Sequence, residues 1–280
     1  MESRSNLVPG PISTWLVMIV YWVDTFTSTP FGGNPAAVCL LGEAPADDAW
    51  MQQVAAELNQ PTTAFLASGD GRLQLRWFTP AQELPLCGHA TLATAHVLYD
   101  TGQAGHDQVL SFSTGNGTLP AWQDRSRIWM DFPAAGLTEG AVPREALAAV
   151  GLTRAEWFGR NDYEYVIQVS DPLLVEHARP DFGAIRQLPV TRVIVTAPGG
   201  DGADFTSRVF VPKIGLDEDQ VTGSAHAVLG PLWAARQGGT QLTAVQASRR
   251  RGTVAIAVHG DRVHIGGSAT ILGTGKFTAR

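Results

Sequence analysis

Two helical segments without a polar face most constrain how this chain can fold. Residues 89–99 and 223–237 carry apolar or small side chains on almost every side of the predicted helix. A helix that lacks a polar stripe has to be covered all round, so each segment is predicted to lie inside a lobe of the protein. Each opens with a turn of small residues, Cys-Gly-His-Ala at 87–90 and Thr-Gly-Ser-Ala at 222–225.

Segments rich in β-branched and aromatic residues, typical of strands, surround both helices. They cover residues 17–26, 36–41, 63–67, 73–78, 109–112, 117–122 and 128–132 in the first half, and 165–169, 193–196, 204–211, 242–246, 253–258 and 262–266 in the second. Further helices are predicted at 47–58 and 144–150. Both halves place one buried helix among strands, so we predict an α+β fold of two similarly built lobes. The halves share little sequence identity, and the repeat therefore depends on the order of elements alone.

The boundary between the lobes is predicted near residues 133–142. The N-terminal lobe then covers 15–132 and the C-terminal lobe 133–280, with a last strand that can return to the first lobe. Residues 1–14 are rich in Ser, Pro and Gly and show no apolar periodicity. We expect a disordered extension there, outside the fold.

Composition limits the partners and the location. The formal net charge is −6 and no basic run is longer than 249–251, which argues against nucleic acid as a partner. The apolar run at 15–23 is shorter than the roughly 20 residues that span a bilayer, so we predict a buried strand and no membrane span. A signal peptide is the alternative, but a single Arg precedes the run and no cleavage site follows it. The only cysteines, Cys39 and Cys87, favour a reducing cytoplasm.

The glycines that begin the two buried helices suggest a ligand site. A helix start leaves N–H groups unpaired and carries the positive end of the helix dipole, which favours anions. Gly88 and Gly223 have no side chain, so a ligand can approach the backbone there. Two facing helix starts could hold a substrate carboxylate and stabilise the enolate-like charge formed when an α-proton leaves. The alternative is that these are ordinary turn and capping residues.

Four blocks of sequence together resemble the signatures of the phenazine-biosynthesis (PhzF-like) family. They read FGGNPAAV at 31–38, LRWFTP at 75–80, LCGHATLA at 86–93 and VTGSAHA at 221–227. The four blocks occur in the same order as in the family, and the match runs from about residue 18 to the end of the sequence. The resemblance implies a fold like that of diaminopimelate epimerase: two lobes, each a curled, mostly antiparallel sheet around one central helix, with the active site between them. It also implies a homodimer.

The resemblance assigns roles to individual residues. In the family, a Glu within an Asn-Leu-Ser-Glu-Thr-Ala-Phe block transfers a proton, assisted by a His, an Asp and a Ser. Carried over, the assistants are His89, Asp219 and Ser224. The Glu is missing, because the matching segment reads NQPTTAF at 59–65 and Thr62 stands in its place. A threonine hydroxyl is not a base near neutral pH without a partner that takes its proton, so proton transfer is reassigned to Asp219 or His89.

Other departures and candidates are less decisive. Gln220 replaces a usual Pro, and SRRRG at 248–252 replaces a Ser-x-Arg-Gly-Gly pattern. Arg251 could bind a carboxylate if it points into the cleft, or it could be a solvated strand residue. Cys87 at a helix start could be a reactive thiol, although a packed, inert thiol is the favoured interpretation. The predicted catalytic residues are Asp219, His89 and Thr62, and the predicted substrate-binding residues are Asn34, Gly88, Cys87, Thr222, Gly223, Ser224 and Arg251.

These observations favour a cofactor-independent isomerase that moves a proton on a small carboxylate-bearing, amino-acid-derived metabolite. No Cys and His spacing resembles a zinc site and no loop resembles a nucleotide fingerprint, so we expect no metal and no nucleotide. One alternative is a lyase, dehydratase or cyclase that uses the same cleft. The other is a binding protein that has lost turnover together with the family's Glu.

Overall fold

A computed structural model describes residues 16–42, 46–69 and 71–279. The extension predicted at 1–14 lies outside these residues. The first part of the chain contains β1 (Leu16–Thr25), β2 (Asn34–Gly42), α1 (Asp48–Leu58), β3 (Thr63–Gly69), β4 (Arg72–Phe78), β5 (Glu83–Leu84), α2 (Gly88–Asp100), β6 (Leu110–Thr114), β7 (Gly117–Asp124) and β8 (Arg127–Pro133).

The second part begins with β9 (Thr138–Glu139), α3 (Arg144–Ala149), β10 (Trp157–Arg160), β11 (Glu164–Gln168), α4 (Pro172–Glu176), α5 (Phe182–Gln187), β12 (Arg192–Pro198) and β13 (Phe205–Val211). After a short 3-10 turn (Pro212–Ile214) it continues with β14 (Leu216–Asp219), α6 (Gly223–Gln237), β15 (Gln241–Gln246), β16 (Gly252–His259), β17 (Arg262–Gly267) and β18 (Ala269–Ala279). Most strand pairs are antiparallel. The predicted α+β architecture is confirmed.

Helix α2 is the centre of the first lobe, with β1, β2, β3, β7, β8 and β18 around it. Two threonines lie on this buried helix with their hydroxyls hydrogen-bonded to its backbone. The Thr91 hydroxyl donates to the Cys87 carbonyl at 2.7 Å and the Thr94 hydroxyl to the Ala90 carbonyl at 2.8 Å. Such bonds to the preceding turn satisfy the hydroxyls, so the helix can be buried on all sides, as its sequence predicts.

Helix α6 is the centre of the second lobe and packs against β15, β16 and β17. Trp233 stacks on Phe205, with ring centroids 5.5 Å apart. Pro231 lies inside the helix and has no N–H to donate to the Ala227 carbonyl. That carbonyl instead accepts the N–H of Ala135, at 3.4 Å, from the segment that joins the lobes. The proline therefore links α6 to the connection between the lobes.

Two long-range strand pairs join the first half of the chain to the second. Strand β18 pairs antiparallel with β1, from Leu16 opposite Ala279 to Thr25 opposite Ala269. Strand β17 pairs antiparallel with β8. The buried residues of α2 and α6 consequently belong to one continuous hydrophobic core.

A further core lies where α3, α4 and α5 cover the outer side of β11 and β12. In β12, Val193 and Val195 face this outer core while Ile194 faces the core of the lobes. A strand covered on both faces is apolar throughout, and this sandwiching fixes where the polar first residues of β11 and β12 lie. Among the described residues, no helix has the length and apolar character that crossing a membrane requires.

Candidate active site

The starts of α2 and α6 meet at two glycines. A β-carbon on Gly88 would lie 3.7 Å from the α-carbon of Gly223, and one on Gly223 would lie 3.8 Å from the α-carbon of Gly88. Neither helix start receives a side-chain cap. The first N–H groups of both helices therefore point toward a common space, where two helix dipoles present their positive ends together.

A cavity of about 770 Å³ opens at this meeting point. The first lobe contributes Thr62, Cys87 and His89 to its wall, and the second contributes Asp219, Thr222 and Ser224. Apolar residues line most of the remainder, among them Leu84, Leu86, Phe132, Ile214, Leu216 and Val228. The structure thus brings together all of the predicted site residues except two, Asn34 and Arg251.

Thr62, Cys87 and His89 form a hydrogen-bonded cluster in the first lobe. The Cys87 thiol donates to the Thr62 hydroxyl at 3.6 Å, and its Sγ lies 3.4 Å from Nδ1 of His89. Burial disfavours a charged imidazole, but the interactions with neighbouring Cys87 and Asp219 outweigh this effect, so the pKa of His89 is raised above its usual value. Thr62 is thus a hydrogen-bond partner of the thiol.

Asp219 is held in place by two short hydrogen bonds. The Asn34 amide donates to one carboxylate oxygen and the Thr222 hydroxyl to the other, both at 2.6 Å. The Asn34 amide also donates to the Val221 carbonyl at 2.8 Å. Asn34 is fully buried and does not line the cavity, and its contact with the site is the hydrogen bond to Asp219.

Gly33 precedes Asn34 in the FGGNP block, and its backbone conformation explains why a glycine is needed there. Its φ is +61°, and a β-carbon there would lie 1.9 Å from the Thr25 carbonyl oxygen. Only glycine fits this position. Arg250 ties the same loop down from the opposite lobe, since its guanidinium donates to the carbonyls of Gly32 and Gly33 and to buried Asp24. The block is therefore a structural support for Asn34.

Arg251 does not reach the cavity between the helix starts. It lines a different cavity, of about 520 Å³, and forms ion pairs with Asp201 and, at 3.4 Å, with Glu176. Arg251 therefore lies outside the lining of the cavity between the helix starts. Gln220, the other departure in this region, accepts the N–H of Arg250 at 3.3 Å.

Several functional contacts were not expected from the sequence. Gln246 accepts the Thr222 N–H at 2.8 Å and donates to the Asp219 carbonyl at 2.6 Å, which fixes the turn before α6. Arg192 and Glu164 form a buried ion pair in the cavity wall. A signal for this pair was present in the sequence, because each residue directly precedes an apolar run, at 165–167 and 193–195. Within the described residues, no three His, Cys, Asp or Glu side chains cluster closely enough to hold a metal ion.

The fold has counterparts among known proteins. An "uncharacterized isomerase" of Pseudomonas aeruginosa is 43% identical over 260 residues, which cover 93% of this chain and 98% of that protein. A crystal structure of a PhzF-family protein from Enterococcus faecalis matches with a TM-score of 0.88 at 38% identity, covering 93% of this chain and 99% of that chain. A hydroxyproline epimerase from Agrobacterium vitis, with bound trans-4-hydroxy-L-proline, matches with a TM-score of 0.61 at 15% identity, covering 94% and 93%. The last likeness shows the fold alone.

A family model described as phenazine biosynthesis-like protein matches residues 23–275. The chain therefore belongs to the phenazine biosynthesis-like (PhzC-PhzF) family.

Proposed function

We propose that this protein is a cofactor-independent isomerase that moves a proton on a small carboxylate-bearing metabolite, in the cavity between the two helix starts. The observation that carries the proposal is the convergence of two uncapped helix N-termini on a space that also holds His89 and Asp219. Removing a proton next to a carboxylate places negative charge on its oxygens. Backbone N–H groups and helix dipoles that are already oriented there stabilise this charge.

His89 is the group that we propose to carry the proton. It is buried beside Cys87, and its raised pKa favours holding a proton that has been taken from carbon. Asp219 accepts two short hydrogen bonds, which hold its carboxylate in one orientation. Its negative charge supports the imidazolium that forms on His89. The proton then returns to the same carbon or to a conjugated one, which completes an isomerisation without loss of atoms.

The lining of the cavity indicates the shape of the substrate. The polar groups gather at the helix starts, and the rest of the wall is mainly apolar. The volume of about 770 Å³ falls within the usual range for sites of small organic molecules. Leu86 and Tyr163, both exposed apolar or aromatic side chains, belong to the same wall. We therefore propose a carboxylate joined to an apolar or cyclic body.

A lyase is the second candidate, and Thr62 is the observation that favours it. With a hydroxyl at the position of the family's Glu, bonded to the Cys87 thiol, the site has one proton carrier fewer. Such a site could remove an α-proton and release a β-substituent, for example as water, without returning the proton.

Incubation in D₂O with a panel of amino and hydroxy carboxylates, monitored by NMR and mass spectrometry, tests these alternatives. We expect solvent deuterium in recovered substrate or in its isomer. A product lighter by water or ammonia would support the lyase, and saturable binding with neither change would support a binding protein. His89→Gln should abolish the exchange, whereas His106→Gln, at an exposed histidine far from the cavity lining, should leave it unchanged.

A further inference from the structure

A buried hydrogen-bonded network stands behind the Ser224 hydroxyl. Strands β11 and β12 are parallel and in register, with Glu164 directly beside Arg192. Both residues are at least 95% buried, with 1% and 5% exposed. The Arg192 Nε donates to the Glu164 carboxylate at 2.6 Å and Nη2 contacts the same oxygen. The fork of the guanidinium is thereby fixed.

Glu164 is itself held by the loop that precedes it. The Asn161 amide donates to its other carboxylate oxygen at 3.1 Å, and the Asn161 side-chain oxygen accepts the N–H groups of Tyr163 and Glu164. The Tyr163 ring lies over the guanidinium, 5.2 Å from its centre. Arg192 is therefore held by a carboxylate and an aromatic ring at once, and its remaining Nη1 has a defined direction.

That direction leads to the start of α6. Nη1 of Arg192 donates to the Ser224 hydroxyl oxygen at 2.9 Å. A guanidinium has no acceptor, so the serine hydrogen cannot point back at it. Within the described part of the chain, the Ser224 hydroxyl makes no other hydrogen bond. Its hydrogen is left for the cavity that Ser224 lines.

The charge balance shows what this network contributes. Because Glu164 neutralises Arg192, the pair supplies no net positive charge that would attract an anion by itself. Its contribution is orientation: a hydroxyl that could rotate is restricted to donating into the cavity, next to the N–H groups of the first turn of α6. An acceptor oxygen with negative charge forms the strongest hydrogen bond with such a donor.

We propose that Arg192, anchored by Glu164, is a positioning residue that fixes the Ser224 hydroxyl as a donor to a carboxylate oxygen of the ligand at the start of α6. The inference rests on the proposed function only in placing a carboxylate-bearing ligand in this cavity. It separates the group that binds the carboxylate, on the second lobe, from His89 on the first.

A double-mutant cycle on binding tests the proposal. The probe is pyrrole-2-carboxylate, a planar ring carboxylate whose trigonal α-carbon resembles that of an enolate, and binding is measured by calorimetry. We expect Ser224→Ala to weaken binding about tenfold, the loss typical of one hydrogen bond to a charged group. Arg192→Lys, which keeps the charge but loses the fork, should weaken binding about fivefold to tenfold in the parent and less than about twofold in the S224A background, because coupled residues are not additive.

The chain offers a matched control for the arginine substitution. Arg208 forms a similar fork with Glu218, at 2.8 Å for both contacts, and does not line the cavity. Arg208→Lys should lower the melting temperature in the same way as R192K and leave probe binding unchanged. If R192K does not fold, Glu164→Gln is the second variant. It loosens the anchor and should weaken binding only while Ser224 is present.

Three results would overturn the proposal. Equal losses from R192K with and without Ser224 would mean that Arg192 acts on the ligand or on the fold by itself. An equal loss of binding from R208K would point to a general effect on the fold. If the probe does not bind to the unaltered protein, this end of the cavity is not a carboxylate-binding site. In that last case, deuterium exchange on the substrate panel still decides the proposed function separately.

Discussion

Asp219→Asn separates the charge of this residue from its role in packing. The carboxylate accepts one hydrogen bond from the Asn34 amide and one from the Thr222 hydroxyl. An asparagine at this position can keep both, because its oxygen accepts from Asn34 and its amide donates to a rotated Thr222 hydroxyl. We expect the free energy of unfolding to change by no more than about 1 kcal/mol, the value of one neutral hydrogen bond.

The effect on activity should be much larger. Asp219 is one of the groups that raise the pKa of His89, so D219N lowers that pKa. A base has to be neutral before it accepts a proton, and the rise of kcat/KM with pH should therefore move to lower pH in the variant. Loss of the stabilising charge should also reduce turnover by at least about 10²-fold, the scale of one general acid–base contribution.

The assay is the rate of solvent deuterium exchange on the substrate identified from the panel, measured from about pH 5 to about pH 9, on either side of the usual pKa of histidine. Thermal melting checks that each variant folds. Asp217→Asn is the matched control, because Asp217 lies on the same strand, is exposed and pairs with Arg186 at the surface. A D219N rate within about threefold of the parent, well below a general acid–base effect, with an unchanged pH profile, would refute the assignment. It would leave Asp219 as a structural residue.

Three further predictions concern stability and the unusual residue of the site. Gly33→Ala should destabilise the fold by more than about 2 kcal/mol because its β-carbon overlaps the Thr25 carbonyl, whereas Gly42→Ala, also at positive φ but with open space around it, should cost about 1 kcal/mol in chemical denaturation. Thr62→Glu should abolish native activity, because a larger, charged side chain displaces the hydroxyl that accepts from Cys87. Faster deuterium exchange with native activity retained would contradict this. Burial lowers the pKa of His226 to about 4, so the unfolded chain binds a proton between about pH 6.5 and 4 that the folded protein does not. As the pH is lowered through that window, the free energy of unfolding should fall by up to about 3 kcal/mol. His226→Gln should remove most of this loss of stability in pH-dependent melts.

The local features of this protein were predictable from its sequence because they depend on spacing along the chain. Sequence patterns identify α2, α6 and the β-branched strands as elements that must be buried. The glycines at the two helix starts identify backbone that a ligand can approach. The helix predicted at 47–58 is present as α1, and the Asp47 side chain caps it by accepting the N–H groups of Ala49 and Trp50. The short helices α4 and α5, of five and six residues, were not predicted.

The contacts that define the site depend on which strands become neighbours, and a single sequence does not state this. Asn34 meets Asp219 across 185 positions, and β18 meets β1 from the opposite end of the chain. Arg251 was assigned to the cleft from its block, yet the turn after β15 directs it to Asp201 on the other side. Arg192 drew no attention in the sequence until the parallel register of β11 and β12 placed it between Glu164 and Ser224. The sequence determines the chemistry of each side chain, but packing between distant segments determines which partner it contacts. Packing makes Arg192 a buried donor to Ser224 and leaves Arg251 partly exposed.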